Sequence, residues 1–143
     1  MPVILGIDHG DARIGLAISD DLGMFAHPLE TVSARDIEAA KKRIAEIVAG
    51  KKIGRVVVGL PRNMDGSYGP AAEKVRAFAN ELKARIVRCE VEFVDERLTS
   101  VAAQKALHAS GRSAKQSKGV LDQVAAQMIL QTWLDREAFK STN

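Results

Sequence analysis

Three short runs rich in apolar and β-branched residues constrain this chain more than any other feature: residues 3–7 (VILGI), 56–60 (VVVGL) and 91–94 (VEFV). Each is the length of a strand, and the first stops at once on Asp8, which predicts buried strands that deliver their last residues to a sheet edge. Between them lie segments of helical period. Ile37, Ala40, Ile44, Ile47 and Val48 form one apolar stripe, ended by Gly50, and Val75, Phe78, Ala79, Leu82 and Ile86 form another. Strands joined by helical crossovers run parallel. The start of the chain differs. Residues 13–19 (RIGLAIS) alternate after a Gly10-Asp11 turn, as in a hairpin, and a third extended segment at about 25–32 holds Pro28, which belongs on a sheet edge. The expected architecture is therefore α/β, with a mixed sheet whose first half is antiparallel and whose second half is parallel.

The remaining helices are marked by their ends. Ser33 and Asp36 read as a capping pair for the first, and Thr99 or Ser100 as the cap of a helix running to Gly111. A final helix, from about 118 to 139, carries Leu121, Val124, Ala125, Met128, Ile129 and Trp133 on one broad face. No repeat, linker or low-complexity segment divides the 143 residues, so residues 1–143 read as one domain. Cys89 stands alone and three scattered histidines form no zinc pattern, which points to a reducing compartment. With no leader-like start and no apolar run long enough to span a bilayer, the expected address is the cytoplasm, without membrane attachment.

Charge placement says more than the formal +3. From Arg97 to Leu121 there is no acid, while Arg97, Lys105, Arg112, Lys115 and Lys118 are cationic. That basic stretch lies between Glu96 and Asp122, the pattern a site acting on phosphodiesters needs: cations for the backbone and carboxylates for metal. A solvated helix face followed by a basic loop is the plainer reading of the same run.

Asp8 ends the first strand and Glu96 follows the last, so parallel strands would place both at one edge of the sheet, where open α/β sheets bind ligands. Asp122 falls three, four, seven and eleven residues before Ala125, Ala126, Ile129 and Trp133, and so shares the helix face turned to the sheet. An acid there needs a partner. A hard divalent cation, Mg2+ or Mn2+, would serve, and a pair of such ions can activate water and stabilise the leaving oxygen of a displacement. Each acid also has a structural use: Asp8 in a turn, Asp122 near a helix start, Glu96 in an ion pair with Arg97.

Four stretches in order carry a resemblance that covers nearly the whole chain: GIDHGDARIGLA at 6–17, VGLPRNMDGS at 58–67, VDERLT at 94–99 and DQVAA at 122–126. Together they resemble the YqgF, or RuvX-like, family of the RNase H-like nucleases. The resemblance implies an RNase H-like fold with five strands, the fourth and fifth parallel to the first and helices on both faces, and a metal-dependent nuclease with Asp8, Glu96 and Asp122 as catalytic and metal-binding acids. It further implies processing of the 5′ end of pre-16S rRNA, with Holliday junction resolution in DNA recombination and repair as the alternative. Ser100 stands where the family usually has a second threonine.

Nucleic-acid contacts are expected from Arg13 and Arg97 beside the acids, from Arg62 and Asn63 in the loop after the fourth strand, and from Lys115 and Lys118 before the last helix. Structural ion pairs compete for both Arg13 and Arg97. Two further classes remain: a nucleotide-binding module, because GIDHG followed by a hairpin also resembles the phosphate loop of actin-like ATPases, and a non-catalytic RNA-binding assembly factor. No residue separates monomer from homodimer.

Overall fold

The computed structural model describes residues 2–99 and 114–142. Strand β1 (Val3–His9) lies at the centre of the sheet because its buried residues serve both faces. Leu5 and Ile7 enter one apolar cluster and Ile4 the other, following the two-residue period of a strand. Antiparallel β2 (Arg13–Ser19) pairs with β1, and β3 (Ala26–Ser33) pairs with β2 at the edge, where Pro28 loses no ladder bond on its open side. On the other side of β1, β4 (Ile53–Leu60) and then β5 (Glu90–Asp95) run parallel to it, giving the order β3-β2-β1-β4-β5 expected for an RNase H-like sheet.

Helices cover both faces. Helix α1 (Ile37–Gly50) begins where the Asp36 carboxylate accepts a hydrogen bond from the Ala39 N–H at 3.1 Å. Ser33 is not its partner in this cap. It closes β3, and its hydroxyl accepts from the Arg35 N–H at 3.3 Å, because the chain needs three residues to turn from strand to helix. Helix α2 (Pro70–Arg85) lies beside α1, and Ala40, Ile44, Val75, Phe78 and Leu82 from the two helices bury Leu5, Ile7, Val56 and Val58 of the sheet. Lys41, almost fully buried, joins the two helices through Glu38 and Glu81, each at 2.7 Å. Among the described residues, no helix is long and apolar enough to cross a membrane.

Helix α3 (Ala114–Thr142) covers the opposite face with Ala125, Ala126, Ile129, Leu130, Trp133 and Leu134. It starts four residues earlier than expected, since Lys115, Gln116 and Lys118 are good helix formers and nothing in that polar stretch stops a helix. The helix expected between Thr99 or Ser100 and Gly111 lies outside the described residues.

Three glutamines lock α3 in register against the edge strand. Gln131 accepts from the Ala26 N–H at 2.8 Å, Gln127 donates to the Ala26 carbonyl at 2.9 Å, and Gln123 donates to the Thr31 hydroxyl at 3.1 Å. Gln127 and Gln131 take up backbone groups of the edge strand, and Gln123 holds a side chain of it. The same register brings α3 so close to β2 that a Cβ at Gly15 would overlap the Asp122 backbone carbonyl. Gly15→Ala therefore lowers stability by about 3 kcal/mol or prevents folding, as overpacking against backbone leaves no side chain to move aside. Gly50→Ala, which meets nothing within 4 Å, is neutral or stabilising by about 0.5 kcal/mol. Urea unfolding midpoints of the two variants check this contrast.

Candidate active site

Asp8 is the next-to-last residue of β1 and is 2% exposed. Side chains alternate along the strand, so Asp8 shares the α3 face with Ile4, away from the Leu5 and Ile7 side. Its antiparallel partner is Gly15, which lies directly beneath Asp122 of α3. On the other side, β1 and β4 are paired at Ile7 and Val58, so Gly59 follows Val58 just as Asp8 follows Ile7, one strand spacing of about 4.8 Å apart. A Cβ at Gly59 would come to 3.1 Å from the Glu96 Oε1. Asp8 thus sits between two glycines, and over each glycine stands another acid. The missing side chains are what admit Asp122 and Glu96 to this corner of the sheet.

The two strand-end acids differ in surroundings from Asp122. Glu96 is 7% exposed and opens a 3₁₀ turn (Glu96–Leu98) immediately after β5. Asp122 is part-buried, and its Oδ2 accepts from Arg13 Nε at 2.7 Å, so the ion pair competing for Arg13 is the one the structure contains. Among the described residues, no three acidic, histidine or cysteine side chains stand close enough to hold a metal ion in this arrangement. The donor chemistry nevertheless suits a hard cation, since all three groups offer oxygen and two of them are buried. Asp122, the most exposed of the three, is turned to Arg13.

A cleft of about 350 Å³ opens next to Glu96, lined also by His9, Asp11, Arg62, Lys74 and Arg97. It lies where the chain leaves β1 for β2 on one side while β4 occupies the other, the reversal of strand order at which open sheets bind ligands. Arg62 reaches it from the loop after β4, held by the Gly66 carbonyl through Nε at 2.9 Å and by Asp95 through Nη1 at 3.2 Å. Arg97 is held by the same carboxylate at 3.0 Å through Nη2. Burial alone would raise the Asp95 pKa, but hydrogen bonds from Arg97 and Arg62 outweigh it and hold the carboxyl below its usual range; the bond to Asp95 raises that of Arg97.

Asn63 folds its own loop instead of facing the cleft. Its amide donates to the Ser67 hydroxyl at 3.0 Å, and its carbonyl accepts from the N–H of Gly66, which has a φ of +88°. Lys115 and Lys118 lie in the first turns of α3, and their side chains fall outside what the structure describes. His9 and Lys74 were not singled out by the sequence. His9 follows Asp8 on the other face of β1, packed against Phe78 with ring centres 4.8 Å apart, and Lys74 stands in the second turn of α2 beside Asp11 at 3.4 Å. Only the β1–β4–α2 arrangement brings either to the cleft, although the position of Lys74 just after Gly69-Pro70 was a usable signal of a helix start at a site edge. Cys89 is buried, and burial pushes its thiol pKa up, which keeps it protonated and inert.

A protein of Streptomyces coelicolor named "putative pre-16S rRNA nuclease" is 49% identical over 133 residues, covering 93% of this chain and 80% of that protein. One of Halalkalibacterium halodurans with the same name is 46% identical over 138 residues, covering 95% and 98%. Among solved structures, Thermus thermophilus RuvC in complex with a Holliday junction substrate has a TM-score of 0.62 at 13% identity, covering 96% of this chain and 97% of that one, a likeness of fold. The RuvX family, described as Holliday junction resolvase, matches residues 2–136. With a glycine-flanked acid on the central strand, acids from β5 and α3 over it, and a family match across nearly its whole length, this chain belongs to the RuvX family.

Proposed function

We propose that the chain is a metal-dependent nuclease whose hydrolytic centre is formed by Asp8, Glu96 and Asp122, acting on RNA at the 5′ end of pre-16S rRNA in ribosome assembly. The observation that carries this reading is two buried carboxylates, Asp8 and Glu96, at one sheet edge, with Glu96 lining a cleft whose rim holds Arg62, Lys74 and Arg97. Carboxylates without cations would repel a phosphodiester, and cations without carboxylates would bind it and leave it intact. The choice of RNA rests on the names of the relatives. A four-way DNA junction is the second candidate substrate, favoured by the family description. The proposed compartment is the cytoplasm.

The chain's residues divide the work. Arg62 and Arg97 meet the substrate backbone at the cleft rim and orient the scissile phosphate toward the buried acids, without reading bases. Asp8, rigid on the central strand, fixes the position of the centre, while Glu96 approaches from the end of β5, across Gly59 of the intervening β4. Asp122, carried by a helix and engaged with Arg13, is the adjustable member, and Arg13 is released toward the phosphate when Asp122 turns to the centre. Asp8, Glu96 and Asp122 would hold Mg2+ or Mn2+, which would supply Lewis-acid stabilisation of the phosphate and a more acidic attacking water.

Purified protein is to be incubated with a pre-16S 5′ fragment and, separately, with a four-way DNA junction, each with Mg2+ or Mn2+. Cleavage of the RNA is expected, stopped by chelation; cleavage of the junction alone would reassign the substrate. Asp8→Asn should lower the cleavage rate at least about 100-fold while RNA affinity is retained, because the lost charge lies at the metal and not on the rim. Retained cleavage in that variant would remove Asp8 from the hydrolytic centre, and RNA binding by a wild-type protein that cleaves neither substrate would leave a factor without catalysis. Arg13→Ala frees Asp122, so Mn2+ should bind up to about fivefold more tightly by calorimetry, the equivalent of about 1 kcal/mol for a part-exposed ion pair. Unchanged or weaker Mn2+ binding would mean that Arg13 does not compete with the ion.

A further inference from the structure

Two consecutive acids close the β5 strand, and they face opposite ways. Val94 belongs to the α3-side cluster, so Asp95 falls on the other face and Glu96, after the chain bends into its 3₁₀ turn, returns to the α3 side over Gly59. Glu96 belongs to the hydrolytic centre proposed above. Asp95 has a different set of neighbours.

Its Oδ1 accepts from the Arg97 backbone N–H at 2.9 Å, which caps the turn carrying Glu96. Its Oδ2 accepts from Arg97 Nε at 3.2 Å, from Arg97 Nη2 at 3.0 Å and from Arg62 Nη1 at 3.2 Å. Arg62 comes from the end of β4 and Arg97 from the end of β5, strands paired at Leu60 and Asp95. One carboxylate therefore draws together two guanidinium groups that would otherwise repel each other. A charge of +1 is left on the trio, and a guanidinium carries five donors; among the described residues Arg97 Nη1 donates no hydrogen bond, which leaves that side toward the cleft for a ligand. Arg62 is further steadied by the Gly66 carbonyl and by the Tyr68 ring, 4.5 Å from its guanidinium carbon. Both arginines line the cleft together with Glu96.

We propose that Asp95 is a positioning residue, which fixes Arg62 and Arg97 as one phosphate-binding pair on the rim beside Glu96. The pair receives the backbone phosphate that neighbours the one being cut, and so sets the register of the strand in the cleft. Asp95 touches no substrate. Its effect runs entirely through the two arginines and the turn it caps. This inference rests on the nuclease reading for its kinetic consequence, whereas its consequence for binding does not depend on cleavage.

Asp95→Asn is the appropriate variant, because asparagine still accepts from the Arg97 N–H and preserves the cap while the charge that gathers the arginines is removed. Steady-state RNA cleavage should show kcat reduced at least about tenfold with KM unchanged or lower, since the rim becomes more cationic but holds the strand out of register. Alongside it, RNA affinity in EDTA is to be measured for wild type, Asp95→Asn, Arg62→Ala and the double variant. The cycle should show a coupling of at least about threefold, as expected for residues in one network. A lower KM with full kcat would show Asp95 to be merely a repelling charge, and an additive cycle would show that the arginines act independently of it; either result overturns the proposal. So would a kcat loss matched by a loss of folded protein in a melting curve. If wild-type protein cleaves no RNA, the nuclease reading falls and the binding cycle alone decides the role of Asp95.

Discussion

The close approach of α3 to the sheet, over Gly15 and Gly59, is the contact on which the rest depends. A Cβ at Gly15 would overlap the backbone of α3 itself, and one at Gly59 would press on Ile129 and on the Glu96 carboxylate. Side chains normally hold a helix off a sheet; here three residues without them, Gly6 as well as Gly15 and Gly59, let it settle lower. Asp122 descends to the level of the strand ends, and Glu96 folds back over β4 toward Asp8. The glutamine ladder from Gln123 to Gln131 holds that depth along the edge strand. Sheet, helix and acids are thereby parts of one packing decision.

Electrostatics then assigns each charge a neighbour. Acids concentrate on the α3 side of the strand ends and cations on the rim of the cleft, with Asp95 and Arg13 as the two points where the groups interlock. Like charges brought together in a low-dielectric corner repel strongly unless offset. Arg13 offsets Asp122, and Asp95 offsets Arg62 and Arg97. The arrangement leaves a cationic cleft rim beside Glu96, with Asp8 buried one strand away.

Much of this could be read from the chain before its structure. An apolar β-branched run that stops on Asp8 can end only at a sheet edge, and Glu96 after a second such run ends at the same edge once helical crossovers make the strands parallel. Pro28 marked the outer strand correctly for a physical reason, its missing N–H. Other features depend on partners too distant in sequence to infer. Arg13 and Asp122 are separated by 109 residues, and neither shows by its type that the other will be there. Gln123, Gln127 and Gln131 show by their type no sign of the edge strand, at least 92 residues away, that they bond. Asp95 and Glu96 look equivalent as letters; their opposite roles follow from strand alternation and a bend whose position only the fold reveals. The Ser33 cap failed because the residue closing β3 and the residue opening α1 must be different ones.

The central claim is that Asp8, Glu96 and Asp122 share a divalent ion at the corner made by the two glycines. Anomalous diffraction from crystals grown with Mn2+ tests it most directly. A manganese peak is expected between the Asp8 and Glu96 carboxylates, with Asp122 rotated off Arg13 to join them. A peak elsewhere on the molecule, or none at saturating Mn2+ with Asp122 still bound to Arg13, would contradict it.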